Sequence, residues 1–181
     1  MISLRSVVTK KLLNYLFVNP SEKLYVNELS RKLCLDKRNL VKKMKELESE
    51  GILKSQAQGN QKLYSINKEY PFYEEYRKIL MKTEGVEPRI KEILRLVIGV
   101  KEAYIYGSYA NDSLGTHSDI DLLVIGEHKI VLLQRELSKL QKEIGREINV
   151  INMDEAEFKK KIKNKDPFIR GILNHKHIKV T

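Results

Sequence analysis

The first third of the chain carries apolar residues at the spacing of α-helices. They recur every three or four positions over residues 5–17, in the segment after the capping residue Asn27, and from about Lys37 to Glu50. The segments 52–55 and 62–66 then have the composition of strands, with a polar turn between them. The pattern therefore predicts three helices followed by a β-hairpin.

The remainder of the chain alternates between strand-like and helical segments. Tyr70-Pro71 marks a boundary, and a helix from about Phe72 to Lys82 is expected to connect the two regions. The predicted strands lie at 102–106, 120–125, 147–151 and 177–180. The predicted helices lie at 88–98, directly after Ser108, and at 129–144, 154–164 and 167–174. This alternation indicates an α/β or α+β domain, with a mixed sheet of three or four strands and flanking helices.

The element order predicted for residues 1–70 resembles the winged helix-turn-helix fold of bacterial and archaeal transcription regulators. We therefore predict a winged helix-turn-helix domain at 1–70, a helical linker at 71–86 and a second domain at 87–181. The resemblance rests on the order of three helices and a hairpin, and it implies that the third helix contacts double-stranded DNA. A winged helix used only for dimerisation is the alternative.

Positive charge is concentrated in the first part of the chain, where DNA binding is predicted. Of the net charge of +10, residues 1–70 contribute 14 Lys and Arg against 7 Asp and Glu, whereas residues 71–181 contribute 20 against 17. Arginine and asparagine suit bidentate contacts with guanine and adenine, and lysine neutralises phosphate. The predicted DNA-binding residues are Lys37, Arg38, Asn39, Lys42 and Lys43 in the third helix, and Asn60 and Lys62 in the hairpin. A solvated basic helix face is the alternative, and a palindromic DNA site would favour a homodimer.

Composition excludes several other classes of protein. Cys34 is the one cysteine, so the chain has no intramolecular disulfide framework and no cysteine cluster for zinc. No apolar run approaches the ~18 residues that a membrane span needs, and the first residues lack the pattern of a signal peptide. We therefore expect a cytoplasmic protein without a membrane partner.

The segment 103–125 combines a strand, a Gly-Ser turn and a second strand that opens with Asp119-Ile120-Asp121. Residues two apart on a strand share a face, so the two carboxylates are expected to project together, and a cation would turn their repulsion into shared ligation. Hard oxygen ligands suit Mg²⁺ or Mn²⁺ better than zinc. Gly107 allows close approach of the backbone to phosphate, and the helix that begins at Ser108 favours an anion.

Gly107-Ser108, ten intervening residues and Asp119-Ile120-Asp121 resemble the signature of the DNA polymerase β-like nucleotidyltransferases, in particular their minimal members. The resemblance spans about residues 88–152. It implies that Gly107 and Ser108 bind the phosphates of a nucleoside triphosphate, and that Asp119 and Asp121 bind the metal ions. Because minimal nucleotidyltransferases often act with a companion protein in toxin–antitoxin pairs, the resemblance also implies a partner of that kind.

Asn149 departs from the family pattern. The family's third carboxylate lies on a later strand, and the corresponding strand here places Asn149 at that position. An amide carries no charge and cannot act as a base; Glu147, two residues earlier, is a candidate substitute. Two hypotheses follow: a Mg²⁺-dependent nucleotidyltransferase coupled to a DNA-binding domain, or a DNA-binding transcriptional regulator or antitoxin-like protein whose second domain is catalytically degenerate. His117 and Ser118, in the loop before Asp119, are further candidates for substrate contacts, with a solvated loop as the alternative.

Overall fold

The computed structural model describes residues 6–115 and 118–181, and the chain divides into two compact units. One unit comprises Met1–Val86 and Glu143–Gly145, and the other comprises Glu87–Lys142 and Arg146–Thr181. Among the described residues, no helix is both long enough and apolar enough to cross a lipid bilayer.

Helices and a small antiparallel sheet form the first unit. In chain order its elements are α1 (Val7–Val18), β1 (Leu24–Tyr25), α2 (Val26–Leu33), α3 (Lys37–Ser49), β2 (Leu53–Gln58), β3 (Gln61–Ile66) and α4 (Tyr73–Thr83). Strand β3 lies between β1 and β2 and pairs antiparallel with both. The helices and the hairpin expected from the sequence are present. That this arrangement is a winged helix-turn-helix domain stays a prediction.

The predicted cap of the second helix is wrong. Helix α2 begins at Val26, directly after strand β1, so Asn27 already lies inside the helix. The carboxylate of Glu28 accepts a hydrogen bond from the backbone N–H of Tyr25 at 2.8 Å, which satisfies a donor at the helix start. Asparagine is a favourable cap in general, but here strand β1 ends at Tyr25, and the helix begins directly after it.

The interior of the first unit is built from apolar side chains at helical spacing. The buried members from α1, α2 and α3 include Leu12, Leu13, Leu16, Leu29, Leu40, Met44 and Leu47. Each such side chain contributes about 1.5–3 kcal/mol when it is removed from water. This one-sided burial leaves the opposite face of α3 to its basic residues.

A mixed four-stranded sheet with flanking helices forms the second unit, as the sequence predicted. Its elements are α5 (Val86–Leu96), β4 (Val100–Tyr106), α6 (Gly107–Ala110), β5 (Ile120–Gly126), α7 (Ile130–Ile144), β6 (Ile148–Met153), α8 (Glu155–Lys163), α9 (Pro167–Asn174) and β7 (Ile178–Lys179). The strand order is β6-β5-β4-β7, with β5 and β6 parallel and the other pairs antiparallel. Strand β4 starts two residues earlier than expected, because Val100 pairs with Gly126 of β5 on the far side of a shift in register between Val100 and Glu102.

One face of this sheet packs against helices α8 and α9. Tyr104, Leu123, Ile125 and Met153 on the strands form a buried cluster with Phe158, Ile169 and Ile172 on the two helices. Because side chains alternate along a strand, Asp121 shares the face of Leu123, and Asn149 shares the face of Met153. The polar residues of interest therefore lie on the helix-covered face, at the end where β5 and β6 begin.

Candidate active site

Asp119, Asp121 and Asn149 meet at the start of two parallel strands. Asp121 lies opposite Asn149 in the pairing of β5 with β6, and opposite Tyr106 in the pairing of β5 with β4. The Asn149 side-chain amide donates a hydrogen bond to Oδ2 of Asp119 at 3.1 Å. The sequence predicted that Asp119 and Asp121 would project together, and both aspartates interact with the same asparagine side chain.

The electrostatic environment disfavours charge on Asp121. Partial burial raises the pKa of its carboxyl, a hydrogen bond from Asn149 lowers that pKa, and the negative charge of Asp119 raises it further. Burial, together with the nearby Asp121 charge, also raises the pKa of the Tyr106 phenol to about 12. Tyr106 is therefore neutral at physiological pH, and the negative charges are concentrated on the two aspartates.

Gly107 provides the space in which the Asp121 carboxylate lies. Its φ angle is +72°, a conformation that residues with a side chain rarely adopt. A Cβ atom at this position would lie 2.5 Å from Oδ2 of Asp121. The sequence suggested that this glycine admits phosphate; the structure gives it a second role, because a side chain here would displace the carboxylate. Ser108 follows in the first turn of α6 and is half-buried.

Arg146 binds the backbone of Gly115 and Ser118, shortly before Asp119, and no local pattern in the sequence marks it. Its side chain is only 8% exposed, and Nη1 donates to the carbonyl oxygens of Gly115 at 2.9 Å and Ser118 at 2.6 Å. The Ser118 hydroxyl accepts a hydrogen bond from the backbone N–H of Gly115 at 2.9 Å, so it has a role within the loop. His117, the other predicted substrate contact, lies outside the described residues.

Among the residues that the structure describes, this site has two carboxylates, those of Asp119 and Asp121. Within residues 6–115 and 118–181, no group of three or more His, Cys, Asp or Glu side chains converges as metal ligands would. The physical reason is Asn149, which contributes an amide where a third carboxylate would stand. Glu147 precedes β6, its side chain is exposed, and it does not complete such a group. The two carboxylates are nevertheless hard oxygen donors of the kind that suits a divalent cation such as Mg²⁺, and Asn149 presents its amide N–H groups to them.

The predicted DNA-binding residues of the first unit lie on exposed surface or in local ion pairs. Lys37, Arg38, Asn39 and Lys42 are exposed on the first half of α3, and Asn60 is exposed at the hairpin turn. Two other predicted residues face acids. Lys43 pairs with Glu46 at 2.6 Å, and Lys62 pairs with Glu48 at 3.3 Å. Whether this surface binds DNA stays a prediction.

Comparisons with known proteins found a matching family model and a similar protein. The family model described as "Polymerase beta, Nucleotidyltransferase" matches residues 88–170. A protein of Methanocaldococcus jannaschii named "Putative protein adenylyltransferase" is 43% identical, in an alignment that covers 34% of this chain and 75% of that protein.

Two solved structures are also similar. "Crystal structure of the toxin-antitoxin with AMP-PNP" has a TM-score of 0.38 and 16% identity, and the match covers 52% of this chain and 72% of that one. A structure described as a "putative nucleotidyltransferase from Sulfolobus solfataricus" has a TM-score of 0.29 and 24% identity, and the match covers 41% of this chain and 68% of that one.

Proposed function

Because this chain belongs to the polymerase β nucleotidyltransferase family, we propose that it transfers a nucleoside monophosphate from a nucleoside triphosphate to a hydroxyl group, with Mg²⁺ or Mn²⁺ as cofactor. One observation carries the proposal: Asp119 and Asp121 lie close enough to interact, and the Asp121 carboxylate occupies the space that a Cβ atom of residue 107 would need. The acceptor is a hydroxyl on a protein, a small molecule or RNA.

The two aspartates supply the negative charge that the reaction needs. Partial burial, together with the negative charge of Asp119, raises the pKa of the Asp121 carboxyl, and a cation bound by the two aspartates would offset their repulsion. Asp119 and Asp121 would hold the divalent cation, which when bound supplies neutralisation of the phosphate oxygens and polarisation of the phosphoryl group. Because Gly107 has no side chain, the side of its Cα that faces Asp121 is free for the carboxylate.

In the proposed reaction, Asn149 orients the Asp119 carboxylate and does not act as a base. Its amide donates to Asp119 and so restrains that carboxylate, but it cannot accept the proton of an attacking hydroxyl. In the proposed reaction that proton passes to solvent or to the substrate itself. A slower reaction than that of a site with three carboxylates is the expected consequence.

The test is transfer of label from each of the four nucleoside triphosphates, in the presence of Mg²⁺, to the protein itself, to lysate proteins and to RNA. We expect transfer that EDTA abolishes and that Asp121→Asn lowers by at least about 100-fold, the equivalent of several kcal/mol of transition-state stabilisation. Glu127→Gln, an exposed carboxylate just after the other end of β5, is the matched control and should leave transfer unchanged. Transfer that survives both EDTA and Asp121→Asn would refute the proposal.

The presence of Asn149 supports a second candidate: a catalytically degenerate domain that binds nucleotide, in a DNA-binding regulator or an antitoxin-like protein with a companion protein. This candidate expects the wild-type protein to bind a nucleoside triphosphate without transferring it. It also expects Asn149→Asp, which restores a third carboxylate beside Asp121, to gain transfer. Transfer by the wild-type protein would exclude this candidate.

For the first unit, the exposed basic surface of α3 supports binding to double-stranded DNA, as a homodimer where the DNA site is palindromic. Charge reversal by Arg38→Glu and Lys42→Glu should weaken binding to duplex DNA and lower its dependence on salt. Lys11→Glu, an exposed lysine on α1, makes the same change of charge on another element and serves as the control. A wild-type protein without salt-sensitive affinity for DNA would contradict this assignment.

A further inference from the structure

A cavity of about 290 Å³ opens beside Gly107. Its wall includes Tyr106 and Gly107 from the end of β4 and the start of α6, together with Phe168, Gly171, Ile172 and His175 from α9 and its end. Gly107 thus borders both the cavity and the Asp121 carboxylate. A ligand whose phosphates lay beside Gly107 would therefore have this cavity within its reach.

Aromatic rings give the cavity an affinity for flat ligands. The rings of Tyr106 and Phe168 meet edge to face, with centroids 5.9 Å apart and an interplanar angle of 84°. Phe168 is 40% exposed, which is unusual for a phenylalanine and leaves part of its ring available to a ligand. A planar heterocycle could cover this ring and bury apolar surface from both partners.

A few polar groups in the wall suit the edge of a heterocycle. His175 Nδ1 lies 2.8 Å from the carbonyl oxygen of Gly171, which can only accept, so Nδ1 carries the hydrogen. In a neutral ring Nε2 is then an acceptor, a match for an exocyclic amino group. Asn111 also lines the cavity, and its amide offers both a donor and an acceptor. Mostly apolar walls with a few polar groups are typical of small-molecule sites.

We propose that this cavity binds the base of the nucleoside triphosphate. The inference rests on the proposed function, because it takes the triphosphate to lie against Gly107 and the two aspartates. The volume of about 290 Å³ is at the lower end of the range for small-molecule pockets, which suits a single base and part of its ribose.

Gly171 offers a way to fill the cavity without disturbing the helix that carries it. A Cβ atom at this position has no other atom within 4 Å, and the glycine does not have a positive φ angle. Leucine is a better helix former than glycine, so Gly171→Leu should fold and occupy the space. Gly171→Ala adds only a methyl group and is the matched control.

The experiment measures calorimetric binding, in Mg²⁺, of a non-hydrolysable ATP analogue and of inorganic tripolyphosphate, which lacks a base. The wild-type protein should prefer the analogue by on the order of 10-fold, the effect of one stacked base. Gly171→Leu should lower the affinity for the analogue to that for tripolyphosphate and leave tripolyphosphate binding unchanged, whereas Gly171→Ala keeps the preference. Phe168→Ala, which removes the ring and adds no bulk, should also reduce the preference.

Each outcome separates this inference from the function on which it rests. Equal binding of the two ligands by the wild-type protein would overturn the base site and leave the proposed transfer intact. The same conclusion follows if Gly171→Leu and Phe168→Ala keep the wild-type preference. If the wild-type protein binds neither ligand, the proposed function and the base site both fail.

Discussion

The two units of this protein hold their charged residues in opposite ways. On the first half of α3, basic side chains stand exposed to solvent, and the backbone beneath them is an ordinary helix. At the start of β5, two acidic side chains are half-buried and interact with the same asparagine, and one of them, Asp121, lies against a glycine that has no room for a side chain.

This difference determines how each region responds to substitution. Exposed charges on a surface act through long-range attraction that water and salt screen, so each contributes little and all contribute in the same way. Charges held in a fixed, partly desolvated geometry depend on the position of each neighbouring atom. Substitutions near the aspartates should therefore have large and specific effects, and those on α3 small and graded ones.

Gly107→Ala should produce the largest effect that involves no change of charge. The new Cβ atom would lie 2.5 Å from Asp121 Oδ2, and the carboxylate must move to relieve that clash. Because displacement of a reacting group by about 1 Å can cost on the order of 100-fold in rate, we expect a loss of that size in nucleotidyl transfer. Single-turnover transfer rates measure it.

Gly59→Ala is the control that separates the clash from backbone strain. Gly59 also has a positive φ angle, +57°, but a Cβ atom there would have no atom within 4 Å. Both substitutions carry the left-handed penalty of about 1–2 kcal/mol. Only Gly107→Ala should lose transfer, and equal losses in the two variants would contradict the role assigned to Gly107.

Arg146→Met should have the next largest effect, through the loop before Asp119. The substitution leaves the carbonyl oxygens of Gly115 and Ser118 without their donor, at a cost of about 1–3 kcal/mol in stability. A misplaced Asp119 should lower kcat by on the order of 10-fold, with a smaller change in KM. Arg146→Lys restores a donor and should recover part of kcat, whereas Arg170→Met, at an exposed arginine, should change neither constant.

The raised pKa of Asp121 predicts a pH-dependent gain in stability from Asp121→Asn in metal-free protein. A carboxyl whose pKa is higher in the folded state favours folding when it is protonated. The stability of the protein therefore falls as the pH rises from the ordinary pKa of the carboxyl, 3.8, through its raised pKa in the folded state. Asparagine has no such loss. Thermal unfolding in EDTA should therefore show Asp121→Asn more stable than the wild type at neutral pH, with no difference in strong acid, and Mg²⁺ should stabilise only the wild type.

The sequence predicted the parts of the molecule that have a local signature. Strand and helix positions followed from the spacing of apolar residues, and Gly107, Asp119 and Asp121 from a short motif with known chemistry. The role of Arg146 could not be predicted, because its partners are backbone carbonyls 28 and 31 residues away in sequence, and any residue supplies a carbonyl. The cavity beside Gly107 was missed for a similar reason, since α9 and the two residues that follow it supply most of its wall.

The smallest expected effect lies on α3, where Lys42 and Lys43 differ in their surroundings. Lys42 is exposed, whereas Lys43 pairs with Glu46 at 2.6 Å, so part of its charge is already neutralised. If the surface binds duplex DNA, Lys42→Ala should lower the slope of log affinity against log salt concentration by about 1, the contribution of one phosphate contact. Lys43→Ala should lower it by less, because Glu46 already neutralises part of the Lys43 charge before DNA binds. Fluorescence anisotropy with one duplex over a salt series measures both slopes, and a larger change for Lys43→Ala would show that DNA binding breaks the pair with Glu46.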